Sequence, residues 1–118
     1  MLPPSLLEVS KVVFVCRNVK DACVSYYHHN RLFKYTDFHS DFDVFAEELY
    51  RKGNILLGGY FEMLQSGWMR RHHNNMLMFW YEELKQDEML WTEKIMKHIG
   101  YSLPQQKLEQ ICQALTFR

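Results

Sequence analysis

Two short runs of unbroken apolar residues constrain this chain more than anything else in it. "KVVFVC" (11–16) and "MLMFWY" (76–81) are each flanked by polar residues and show no polar/apolar alternation. A run that is β-branched or aromatic and apolar at nearly every position fits a strand covered on both faces, as in a parallel sheet. Most of the remaining sequence has helical spacing. Two such strands separated by helices imply an α/β fold with a parallel sheet. Two strands alone cannot cover both faces and both edges of a sheet. The chain therefore reads as one part of a larger domain, with no repeat, low-complexity tract or linker to divide it.

The helices are marked by their ends. Asn18 is a good N-cap, with Asp21 three residues later, and predicts a helix over 19–33. "DFDVFAEELYRKG" predicts a second, starting near Asp41 or Asp43 and stopping at Gly53. Gly58 and Gly59 mark a break. A third is expected over 60–72, with Phe61, Leu64 and Trp68 on one stripe. From Gln86 the pattern is helical again, with Met89, Leu90, Ile95, Met96 and Ile99 on one face and Gly100 as the stop. "SLPQQKLEQICQAL" predicts a last helix with Pro104 in its first turn, and "PSLLEV" allows a single turn near the start.

Composition narrows the partners. Fourteen basic residues balance fourteen acidic ones among 118. A neutral chain has no broad electrostatic grip on nucleic acid or an anionic membrane, so neither is an expected partner and any anion site must be local. No window reaches the ~18 apolar residues of a membrane span. "MLPPSLLEVS" lacks the basic start and apolar run of a signal peptide, and a cytoplasmic location is expected. Cys16, Cys23 and Cys112 form no CxxC pair and read as free thiols in apolar surroundings. The adjacent pairs His28/His29 and His72/His73 point about 100° apart on a helix, so no metal site is expected. His39, in a loop, and His98, near a helix end, read as solvated.

A local anion site has one clear candidate. Ligands of open parallel sheets bind beyond the carboxyl ends of the strands. Arg17 stands directly after the first strand, and a helix N-terminus with unpaired N–H groups follows it. A guanidinium offers planar paired donors that match phosphate oxygens. Ser25, two turns into the helix and on one face with Asp21, can add a hydroxyl. The same residues also admit a plainer reading, Arg17 in a surface ion pair and Ser25 bonded to its own i−4 carbonyl.

"KVVFVCRNVKDACVSYYHH" resembles the nucleotide motif of the cytosolic sulfotransferases, in which a strand runs into Arg-Asn-x-Lys-Asp and a helix with Ser-Tyr-Tyr. "NMLMFWYEELKQD" is similar to that family's later strand, and "HIGYSLPQQKLEQICQALTFR" to the stretch leading to its Ser-Phe adenine contact. The resemblance covers nearly the whole chain. It implies a partial sulfotransferase domain over 1–118, a fragment of a P-loop-type parallel sheet with helices on both faces. The implied activity is transfer of a sulfuryl group from 3′-phosphoadenosine 5′-phosphosulfate (PAPS) to a hydroxyl or amine of a small acceptor. By the same resemblance, Arg17 and Ser25 would bind the 3′-phosphate of PAPS or of its product 3′,5′-adenosine bisphosphate (PAP). Tyr81 would line the nucleotide pocket, and Thr116, where the family has serine, and Phe117 would meet the adenine.

Other parts of the family pattern have no match among these residues. There is no Pro-Lys-Ser-Gly-Thr-like phosphosulfate loop, no general-base histidine ahead of the Leu-Pro, and no Arg-Lys-Gly segment. None of the six histidines is assigned as a base, and the chain alone is expected to be inactive. Two alternatives stay open. One is a non-catalytic nucleotide-binding or interaction module related to the family; the other is a purely helical interaction protein, in which 11–16 would be helix. Open sheet edges are expected to promote association.

Overall fold

The computed structural model describes residue 3 and residues 5–32, 39–53 and 59–115. The expected Gly58 break, and Phe33 at the end of the first long helix, lie outside them. The chain packs as two compact units, one of residues 17–69 with 1–2, the other of residues 3–16 with 70–118.

The second unit holds the sheet. β1 (Val12–Cys16) and β2 (Met76–Trp80) pair in parallel, from Val12 opposite Met76 to Cys16 opposite Trp80. The sheet expected from the two apolar runs is there, and the helical reading of 11–16 falls. Burial is less complete than the runs suggest. Cys16, Met76 and Phe79 are buried, but Val15 is half exposed. Among the described residues the sheet has these two strands only, so β1 lacks the cover that an all-apolar strand normally has.

Short helices close around this pair. α1 (Leu6–Val9) buries Leu7, whose carbonyl accepts from Asn75 Nδ2 at 2.8 Å. α5 (Tyr81–Gln86) begins at the residue after β2, where a strand-end tyrosine was expected, because the Glu83 carboxylate accepts the Trp80 N–H at 2.9 Å. Asp87 ends α5 and caps α6 (Glu88–Ile99), its Oδ1 accepting from Leu90 N at 2.9 Å. The helix expected from Gln86 is α6, and α5 precedes it as an additional short helix, separated from it at a residue that favours a cap over a helix interior. Gly100, at φ +100, stops α6 while Tyr101 N donates to Met96 O at 2.8 Å, the left-handed ending that glycine accepts most easily. Trp91 stacks on Phe79 with centroids 4.6 Å apart. α7 (Gln105–Leu115) follows Pro104, buries Leu108 and meets α6 where Cys112 Sγ lies 3.6 Å from Thr92 Oγ1.

The first unit has no strand among its described residues. α2 (Val19–Leu32) buries Cys23 and Tyr27, one helical turn apart. Opposite them, α3 (Phe42–Val44) runs straight into a π-helical segment, Phe45–Arg51. The i→i+5 spacing of a π turn brings residue 50 over residue 45, and the Phe45 and Tyr50 rings lie 6.1 Å apart. Among the described residues Phe45 is the most deeply buried side chain, at 1% exposure, with Tyr27 edge-on at 5.6 Å. The expected second helix is present, then, but its core side is π-helical. Gly53, at φ +75, ends it as predicted. α4 spans Tyr60–Met69 rather than reaching His72. Its predicted stripe is not a core seam: Phe61 and Trp68 are half exposed, while Ser66 and Gly67 are buried.

Candidate functional site

Arg17 is the first residue beyond β1 and is exposed. Its carbonyl lies outside both the strand ladder and the helix and needs a partner; Tyr60 Oη donates to it at 2.6 Å. Asn18 caps α2 as predicted: its Oδ1 accepts from Lys20 N at 2.9 Å and its carbonyl from Ala22 N at 2.9 Å.

Ser25 is exposed on α2. Seven residues separate it from Asn18, nearly two whole turns, so the two positions fall within about 20° of each other around the axis and about 10 Å apart along it. Cys23 and Tyr27 occupy the other side, in the core. The helix cap and the hydroxyl thus lie along one solvent-facing side of α2. By contrast, an open groove of about 400 Å³ lined by Val19, Cys23, Val24, Phe42 and Tyr50 lies toward the core side of α2 and is apolar.

Tyr81 belongs to the other unit, where it opens α5 and is partly exposed. Cys16 and Trp80 are opposite each other in the ladder, and Tyr81 is the residue immediately after the second strand. Thr116 and Phe117 lie outside the described residues.

Cys16 and Cys23 are held in the thiol form. Burial first, then the Glu82 and Glu83 carboxylates, push the Cys16 thiol up to about 11. Burial also pushes Cys23 up. None of the three cysteines is in a disulfide. His98 departs from expectation. It is half buried and its Nε2 lies 3.1 Å from the Val12 carbonyl oxygen, so it serves the end of β1 rather than solvent. Tyr27 and Phe79 are core. Sequence reasoning missed Tyr60, since no local pattern marks a helix-opening tyrosine as the partner of a carbonyl 43 residues away. No helix among the described residues is long and apolar enough to cross a membrane.

A helix N-terminus just beyond a parallel strand is a place where α/β proteins bind anions. The sulfotransferase domain family matches residues 1–118, and the chain belongs to that family. It is 34% identical over 119 residues to sulfotransferase 1A1 of Bos taurus, covering 100% of this chain and 40% of that protein. It is 32% identical over 120 residues to luciferin sulfotransferase of Photinus pyralis, covering 99% of this chain and 32% of that one. The chain therefore spans about two-fifths or less of the length of these relatives. Among solved structures, a retinol dehydratase in complex with retinol and PAP matches with TM-score 0.86 and 31% identity, over 98% of this chain and 33% of that one. A mouse sulfotransferase, SULT7A1, complexed with PAP matches with TM-score 0.88 and 26% identity, over 98% of this chain and 42% of that one.

Proposed function

We propose that these residues form the 3′-phosphate-binding part of a PAPS-dependent sulfotransferase domain, acting in the cytoplasm on a hydroxyl or amine of a small molecule. The observation that carries this reading is the strand–turn–helix over 12–25, which sets Arg17 beyond a parallel strand and Ser25 in line with the cap of α2. The donor set fits the group. The guanidinium supplies paired N–H donors, the first turn of α2 adds a partial positive charge, and the serine hydroxyl donates from two turns on. PAP-bound neighbours in the same family support the choice of nucleotide. PAPS, held at its 3′-phosphate by Arg17 and Ser25, would supply the sulfuryl group, with PAP as the leaving group.

The part played by these residues is recognition. Arg17 and Ser25 would separate a 3′-phosphorylated adenine nucleotide from plain AMP, and Tyr81, Thr116 and Phe117 would hold the rest of the nucleotide. No lysine of a phosphosulfate loop and no general base is assigned within the chain, so sulfuryl transfer by these 118 residues alone is expected to be undetectable. Association through the exposed edges of the strand pair is part of the same reading.

Calorimetric titration of the chain with PAP and with 5′-AMP tests it. PAP is expected to bind more tightly than AMP, and Arg17→Ala to weaken PAP by about 10- to 100-fold, the range for a charged hydrogen-bond pair, with AMP unchanged. Equal affinity for both nucleotides in the unaltered chain overturns the reading.

A further inference from the structure

We infer that Tyr60 is a positioning residue for the 3′-phosphate site: its hydroxyl, donated to the Arg17 carbonyl at 2.6 Å, fixes the turn from which the guanidinium and the α2 N-terminus are presented. The inference rests on the nucleotide reading above and adds a residue that the strand–turn–helix motif does not contain.

The chain is built to deliver that hydroxyl. Gly53 and Gly59 cross closely: a Cβ on Gly59 would stand 3.3 Å from the Gly53 Cα, and one on Gly53 3.5 Å from the Gly59 Cα. The crossing fixes the start of α4, and Tyr60 is its first residue. The ring is held on two sides, by Tyr50 with centroids 5.7 Å apart and by Phe61 edge-on at 5.2 Å. Tyr50 in turn sits in the cluster of Cys23, Tyr27 and Phe45. A ring clamped in this way carries its hydroxyl with little freedom. On the other side of the bond, Arg17 lies between a strand that ends at Cys16 and a helix that begins at Val19. The Asn18 cap sets the amides that follow it; the Tyr60 bond sets the peptide that precedes it. A guanidinium on a long, flexible stem gains aim only when its backbone is fixed.

Tyr60→Phe keeps the ring and removes the bond. In the chain without nucleotide, hydrogen exchange over residues 17–20 is expected to quicken about three- to tenfold, the range for one hydrogen bond, with α6 unchanged. With nucleotide, the preference for PAP over 5′-AMP should fall by a similar factor while AMP affinity holds, which a loss of packing alone would not produce. Tyr50→Phe is the control. It removes a buried hydroxyl that has no hydrogen-bond partner, and should leave both readouts as they were. Unchanged exchange over 17–20 in Tyr60→Phe overturns the inference whether or not nucleotide binds. So does quickened exchange with an intact PAP preference. Quickened exchange in a chain that never distinguishes PAP from AMP overturns both the nucleotide reading and the role in phosphate binding, and leaves Tyr60 as a clamp on the turn.

Discussion

The two units hide their apolar groups by different means. Residues 3–16 with 70–115 use a ladder: five residue pairs in register between β1 and β2, with Trp91 laid on Phe79 and the junctions held by Glu83 and Asp87. Residues 17–69 use rings: Tyr26, Tyr27, Phe45, Tyr50 and Tyr60 gather around α2 and a π-helical segment. A ladder fixes position through backbone geometry, whereas a ring cluster does so through packing. The turn at Arg17, proposed above to meet the 3′-phosphate, belongs to the ring-built unit, and an aromatic hydroxyl holds its backbone.

The strongest way to break this contrast is to empty each core in turn. Phe45→Ala and Phe79→Ala each remove a buried ring, at 1% and 2% exposure, and each is expected to cost about 3–5 kcal/mol. Hydrogen exchange read by segment should show Phe45→Ala releasing α2 while β1 and β2 stay protected, and Phe79→Ala doing the reverse. Equal loss across both units from either substitution would mean that they fold as one.

Alkaline pH sharpens it next. Folded, the Cys16 thiol keeps its proton up to about 11, against an ordinary value of 9.0. Between those values the unfolded chain holds fewer protons, so stability is full below pH 9 and falls as pH rises, by on the order of 2 kcal/mol. Burial also pushes the Tyr50 hydroxyl upward, which adds to the fall at higher pH. Urea midpoints measured from pH 8 to 10.5 check the slope. In Cys16→Ala it should flatten, and an unchanged slope would show that the thiol does not carry it.

The smallest expected effect concerns the caps. Asp87→Ala and Asn18→Ala each remove a side-chain acceptor from a helix start, worth about 1 kcal/mol. In the second unit the loss is expected as lower stability alone. In the first, Asn18→Ala should also weaken PAP, because that cap borders the turn proposed to hold the 3′-phosphate. A calorimetric titration that finds PAP affinity untouched in Asn18→Ala would separate the cap from the site.

What the sequence revealed follows the same division. The apolar runs at 11–16 and 76–81 and the cap at Asn18 are local signals, and the strands, the start of α2, and the positions of Arg17 and Ser25 could be read from them. The π turn could not, because i→i+5 spacing depends on Phe45 and Tyr50 meeting α2 rather than on a pattern within 45–51. Nor could the direct entry of β2 into α5. Tyr81 continues an apolar run and looks like strand, but the Glu83 side chain reaches back to the Trp80 N–H and starts the helix a residue early. The half-exposed Val15 has another cause: among the described residues the two strands supply less sheet than the two apolar runs imply.

The passage from Trp80 to Tyr81 has no loop, and a hinge without a spacer works like a pair of meshed gears. Inserting or deleting a single residue there would swing the phenol by about 100° around α5 and pull Glu83 away from the amide it covers. Slipping β2 by one position against β1 would invert every side chain of the strand. Drift at this corner is therefore confined to exchanging one side chain for another, with chain length held constant.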